Sequence, residues 1–326
     1  MLKLILLLLL VPLFAETSIG SALSPSSYWK SVLPNTFMSD ALQSFLPKDS
    51  SRPSYGGKWV KFSKSNWDAC FGYVLLCKPP KGLFFLEKDL KPVMAMDIRF
   101  LAANINSEEK MPTFLPCQAA EALPFSTSSF PTILRRFSLS PSNRPTPHSP
   151  QAFAMKETLD LCESPAIKGE TRFCATSLES MVDFTTTQLG TNSLNVLSTL
   201  VHQEKRSKQQ LDQSFVVQPG IVKMESPAAV ACHSKLYPYA VFYCHKTMDS
   251  RSYIVPLMAE EDGSSAAVVC HDDTSHWDPR HAIFKMLGVE PGTKPICHFL
   301  PPHHFLWVSK QQPWLPTSKN ISLLAS

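Results

Sequence analysis

Glycine is scarce in this chain, with 11 residues in 326 against 28 prolines, and charged residues make up only 18%. That balance points to one folded domain joined to extended segments rather than to two separate cores. The 44% of apolar residues supplies ample material for a single interior. A basic stripe is missing: the formal charge of +4 is spread over the whole length, which argues against DNA or RNA as a partner. No internal repeat is visible. After the N-terminal leader there is no apolar run approaching the roughly 20 residues that a membrane-spanning helix needs.

What is present begins with that leader. Met1-Leu2-Lys3 gives a short positive start, Leu4 to Phe14 is almost unbroken apolar sequence, and small residues follow at Ser18, Gly20, Ser21 and Ala22. Eleven apolar residues are too few for an anchor, so residues 1–22 read as a signal peptide cleaved after Gly20 or Ala22. The mature protein is expected to be soluble and to enter the secretory pathway. Secretory entry changes how the nine cysteines read, since thiols in an oxidising lumen pair off. Cys162, Cys174, Cys232, Cys244, Cys270 and Cys297 lie in the C-terminal half and are expected to form disulfides. Cys70, Cys77 and Cys117 are an odd set. Cys70 and Cys77 would close a small loop, leaving Cys117 unpaired, buried or open to another chain, so the oligomeric state stays open.

Residues 23–82 read as a variable leader region: Ser- and Pro-rich at first, apolar-patterned from Tyr28 to Leu46, then flexible from Lys48 to Lys64. Folded sequence is expected from Leu83, where Phe84-Phe85-Leu86 and then Val93 to Phe100 alternate as strands do. A proline-rich loop is expected over Ser138 to Pro150. Two helices follow, one opened by Pro150 and one with a capping box from Thr176 to Glu179 that ends at Gly190. Short β-branched and aromatic runs then recur about every dozen residues, the spacing expected of a sandwich or meander. A short helix at His281 to Leu287 and a last strand near Phe305 to Val308 complete an α+β, strand-rich, disulfide-stapled domain with few helices. A tail covers 311–326, with the sequon Asn320-Ile321-Ser322 marking Asn320 as a glycosylation acceptor.

Four Cys-His pairs stand out: Cys232-His233, Cys244-His245, Cys270-His271 and Cys297-His298, separated by 10, 24 and 25 residues. Three directly follow an apolar, strand-like run. Consecutive side chains on a strand point to opposite faces, so the sulfurs are expected to gather on one side as two disulfides and the imidazoles to converge on the other. Four imidazoles in an oxidising compartment suit Cu(II) or Zn(II), copper leading by the general affinity order. A zinc finger fits poorly, because its cysteines stand two to four residues apart and remain thiolates. The alternative is two plain structural disulfides with histidines as polar neighbours.

The Cys-His-x10-Cys-His-x24-Cys-His-x25-Cys-His spacing resembles the plant BURP-domain signature. The likeness extends to Phe84-Phe85-Leu86-Glu87-Lys88-Asp89-Leu90, Pro124-Phe125-Ser126, Ala166-Ile167-Lys168-Gly169-Glu170, Cys174 to Ser180, Tyr237 to His245, and Pro295 to Pro301. It covers about residues 83 to 310, and Tyr28 to Asn35 is similar to the segment after the signal peptide in seed and embryo members. The resemblance implies copper as cofactor and His233, His245, His271 and His298 as its ligands. It also implies cell-wall components or a peptide as partners, a cell-wall, extracellular or storage-vacuole destination, and a seed, developmental or stress role. Cys162 and Cys174 flank the Lys168-Gly169-Glu170 turn and would close a loop worth about 3 kcal/mol. Asp272 and Asp273 stand beside the third pair, either orienting an imidazole or forming a solvated turn. His303 and His304, read as exposed, are taken to cap a strand rather than to join the cluster. Some members are copper-dependent cyclases that cross-link an aromatic of a core peptide; here Arg52 to Trp59, with Tyr55 and Trp59, only partly matches such a core.

Overall fold

The computed structural model describes residues 23–47, 82–92, 95–96, 113–114, 150–201, 215–247, 249–258 and 264–310. The expected signal peptide, residues 1–22, and Tyr55, Trp59, Cys70, Cys77, Cys117 and Asn320 lie outside the described residues. Among the described residues, five α-helices and twelve strands follow in chain order: α1 (Pro25–Val32), α2 (Asp40–Gln43), β1 (Phe84–Leu86), β2 (Ala95–Met96), α3 (Pro150–Glu163), β3 (Glu170–Ala175), α4 (Leu178–Leu189), β4 (Leu194–Leu197), β5 (Phe215–Val217), β6 (Val222–Met224), β7 (Ala229–Lys235), β8 (Val241–Thr247), β9 (Ser250–Met258), β10 (Ser265–His271), α5 (Ala282–Leu287), β11 (Ile296–Phe299) and β12 (Phe305–Ser309). The strand-rich α+β class read from the sequence is the one observed. No helix among the described residues is long and apolar enough to cross a membrane.

Two antiparallel sheets carry the fold. One has five strands in the order β3-β8-β7-β12-β4; the other has seven, β1-β11-β10-β9-β5-β2, with β6 also on β9. Strand alternation sorts the apolar side chains into three layers. Ala229, Ala231, Leu306 and Val308 of the five-stranded sheet meet Ala267 and Val269 of the other, so this layer lies between the sheets. The opposite face of the five-stranded sheet, with Val230, Cys232, Phe242, Cys244, Phe305 and Trp307, is covered by α4 through Leu178, Met181 and Val182. The opposite face of the larger sheet, with Val268, Cys270, Cys297 and Phe299, is covered by Ile283 and Phe284 of α5. Thr199 pins the sheets together, taking the Ala267 N–H and donating to the Leu300 carbonyl.

The apolar pattern from Tyr28 to Leu46 folds onto this domain. Ser24 caps α1 and proline opens its first turn, which needs no donor there. Trp29 and Leu33 are buried in the α4 layer, and the Trp29 ring lies 5.8 Å from that of Trp307. Leu42 and Phe45 follow them, Phe45 meeting Phe114, Phe242 and Phe305.

The capping box of α4 sits one residue beyond the expected position: Ser177 accepts from the Ser180 N–H, and the Ser180 hydroxyl returns to the Ser177 N–H. A serine at N3 reaches the cap as the expected Glu179 would have, and Glu179 is buried instead. Gly190 ends the helix at φ 67°. Three disulfides among the described residues staple the domain: Cys162–Cys174 ties the end of α3 to β3, Cys232–Cys244 joins β7 to β8, and Cys270–Cys297 joins β10 to β11. They fit an oxidising compartment.

Candidate metal centre

The two Cys-His hairpins are built alike. Cys232 stands directly opposite Cys244, and Cys270 directly opposite Cys297. In each antiparallel pair the histidine after each cysteine therefore lies one step along its strand, on the other face and diagonal to its partner. Diagonal positions are about 7–8 Å apart at the backbone, within reach of long side chains. The imidazoles close that gap: His233 Nε2 and His245 Nε2 are 3.2 Å apart, and His271 Nε2 and His298 Nε2 are 3.4 Å apart.

The two histidine faces look at each other across the gap between the sheets. Ring centroids lie 5.7 Å apart for His233 and His298 and 5.9 Å for His245 and His271, closing a four-membered ring of imidazoles. The expected gathering of sulfurs on one side is corrected here. Each disulfide lies on the outer face of its own sheet, one in the α4 layer and one in the α5 layer, because each hairpin turns its histidines inward.

His233, His271 and His298 are almost wholly buried. Burial holds His233 and His271 well below the ordinary imidazole range and pushes His298 down to about 3. Neutral imidazole is the ligating form. Two nitrogens bound at about 2.0–2.1 Å to one tetrahedral metal stand about 3.3–3.4 Å apart, close to both pair separations. Among the described residues, however, no group of three or more His, Cys, Asp or Glu side chains is arranged to hold a metal ion as it stands. The donors fit a metal in kind and in pairwise spacing, and they meet two by two.

Around the ring are partners the sequence reading left out. Glu170 Oε1 lies 3.0 Å from His245 Nδ1 and accepts the Tyr243 hydroxyl at 2.9 Å. Burial alone would raise the Glu170 carboxyl; the His245 contact, the Tyr243 hydroxyl and Arg172 outweigh it and hold the group below the usual carboxylate range. Trp277 meets the His271 ring edge-on at 5.3 Å.

His304, expected to cap a strand, is instead fully buried, with Nδ1 3.1 Å from His233 Nδ1. His303 turns the chain at φ 67° and lays its ring against Phe45, so His304 faces inward. The signal for His304 is register: Phe305 pairs with Cys232, so the residue before it falls opposite His233. Glu170 is found the same way, since Arg172 pairs with His245 and Glu170 lies two residues away on the same face. Asp272 is bound to Arg251 and Asp273 accepts the Ser275 N–H, so both carboxylates are engaged away from the ring.

The BURP domain family profile matches residues 83–309. BURP domain-containing protein 3 of Oryza sativa subsp. japonica is 44% identical over 231 residues, 70% of this chain and 51% of that protein. BURP domain protein RD22 of Arabidopsis thaliana is 42% identical over 232 residues, 71% of this chain and 56% of that protein. The chain thus spans about half the length of these two relatives. BURP domain-containing protein 5 of Oryza sativa subsp. japonica is 37% identical over 300 residues, 89% of this chain and 88% of that protein. A profile that covers most of the chain, relatives at these identities and a ring built from four Cys-His hairpin strands agree: the chain belongs to the BURP-domain family of plant proteins.

Proposed function

We propose that this protein binds copper through His233, His245, His271 and His298. The observation that carries the reading is the buried ring of imidazoles, with Nε2 pairs at 3.2 and 3.4 Å, backed on each hairpin by a cross-strand disulfide. All-nitrogen donors favour copper over zinc by the affinity order, and the disulfides exclude competing thiolates. The setting is the secretory pathway, with the cell wall, the extracellular space or a storage vacuole as destination and a developmental, seed or stress-related role. Titration of the purified, metal-stripped mature protein with Cu(II), followed by electron paramagnetic resonance, tests it. The expected result is a nitrogen-coordinated signal lost in His233→Ala and in His271→Ala. Absence of such a signal in a folded wild type overturns the reading.

The second reading is a copper-dependent peptide cyclase. Its support is the family resemblance and the chemistry: bound copper would supply one-electron steps that protein side chains lack. Its substrate would be the Arg52 to Trp59 segment, with Tyr55 or Trp59 as the coupled aromatic, or a separate peptide. Mass spectrometry of the reduced, alkylated protein after Cu(II) and oxygen decides for the fused case, where a loss of two hydrogens would map to residues 52–73. An unchanged mass removes self-cyclisation.

A further inference from the structure

We infer that Glu170 and His304 are positioning residues for the imidazole ring: by holding Nδ1 of His245 and of His233, they decide which nitrogen those rings turn inward as ligand. The inference rests on the copper reading for its purpose but on the geometry of the Nδ1 contacts for its content. A neutral imidazole has one N–H and one lone pair, so fixing one nitrogen fixes the other. Ionised Glu170 is an acceptor only. At 3.0 Å, an ion-pair contact rather than an aligned hydrogen bond, the carboxylate's charge favours the proton of neutral His245 on Nδ1 and leaves Nε2 as a lone pair facing His233. Tyr243 locks the carboxylate in place by donating to the same oxygen. His298 repeats the device with backbone, its Nδ1 lying 3.2 Å from the Phe299 carbonyl, again leaving Nε2 to meet His271.

His304 differs because its own Nδ1 can donate or accept. If it donates to His233 Nδ1, His233 carries its proton on Nε2 and gives it to His245 Nε2, closing a hydrogen-bonded chain from His304 to His245, which the ion-pair contact extends to Glu170. If it accepts, His233 carries its proton on Nδ1 and both facing Nε2 atoms are lone pairs ready for a cation. A single reversed hydrogen bond between His304 and His233 thus separates a self-satisfied cluster from a ligating one, with no change in net charge. Asparagine or lysine at 304 would not switch roles at one atom in this way.

The test uses the folded mature protein, with Zn(II) as a diamagnetic probe for imidazole nitrogen NMR and Cu(II) for affinity by calorimetry. The expected results are His245 protonated on Nδ1 in the metal-free protein, and His233 moving its proton from Nε2 to Nδ1 as Zn(II) is added. In Glu170→Ala, His245 should become a mixture of tautomers; in His304→Phe, His233 should. Copper affinity should fall about 10–100-fold in either, with Glu170→Gln, which keeps an acceptor oxygen, recovering part of the loss. His245 protonated on Nε2 in the wild type, or variants whose tautomers and affinity match the wild type, would overturn the inference. If the variants do not fold, the wild-type His245 tautomer alone decides. A wild type that ignores Cu(II) removes the copper reading, while the metal-free tautomers still judge this one.

Discussion

Cys232 faces Cys244 directly across β7 and β8, and the residue after each, His233 and His245, emerges on the opposite face with Nε2 atoms 3.2 Å apart. The bond on one side of the sheet thereby sets what meets on the other, because a slip of one residue would turn every side chain over. The same arrangement recurs at Cys270 and Cys297.

The first prediction follows from that coupling. Replacing both Cys270 and Cys297 by alanine should cost about 3–4 kcal/mol for the 27-residue separation the bridge closes, as read by urea unfolding. Copper uptake should fall with it even at temperatures where the variant stays folded. Uptake equal to wild type would show that the hydrogen-bond ladder holds the register without the bridge.

The helix α1 should be indispensable rather than an appendage. Trp29→Ala empties a buried site against Trp307, and losses of about 3–5 kcal/mol accompany such truncations. Denaturant unfolding measures it, and a change under 1 kcal/mol would mean that α1 adds nothing to the core.

Glu157 gives a pH dependence. Both of its carboxylate oxygens are buried without a hydrogen-bond partner among the described residues. Burial, partly opposed by Lys235, raises the group from 4.5 to about 7. The native state thus holds a proton that the unfolded chain gives up. That contribution to stability is complete below the unfolded value and is lost as pH rises through about 7. Glu157→Gln, which mimics the protonated acid, should be near neutral at pH 5 and stabilise on the order of 1 kcal/mol at pH 8. An equal effect at the two pH values would remove the assignment.

Metal should stabilise the fold if the ring binds it. At a free Cu(II) concentration about 100 times the dissociation constant, unfolding should cost about 2.7 kcal/mol more, and a chelator should reverse the gain. Thermal melts with and without Cu(II) read this directly. His271→Ala should melt at the same temperature in both.

Much of the fold was legible because its signals are local. Apolar runs before Cys232, Cys244 and Cys270 mark β7, β8 and β10, and Pro150 and Gly190 mark where helices start and stop. The alternation of Cys and His predicted opposite faces. It did not reveal that the two disulfides belong to different sheets, since sheet membership depends on pairing between strands far apart in sequence. His304 and Glu170 escaped for the same reason: each reaches the ring through a neighbouring strand, β12 or β3, whose partner is set by topology. Trp29 looked like part of a separate leader because its contact, Trp307, is 278 residues away.

That last contact has a bearing on how the protein is made. β12 lies inside the five-stranded sheet, between β7 and β4, and it also supplies the ring that covers α1. Among the described residues, the first helix therefore waits for the last strand. During synthesis the chain must hold α1, with its bare Trp29 and Leu33, and an unfilled slot between β4 and β7 until residue 309 has emerged. Closing contacts of such long sequence separation is slow, and the open slot offers edges to other chains meanwhile. A polypeptide cut short before Phe305 would lack both an inner strand of one sheet and the ring that covers α1, so it would be a client for chaperones rather than a smaller version of the domain.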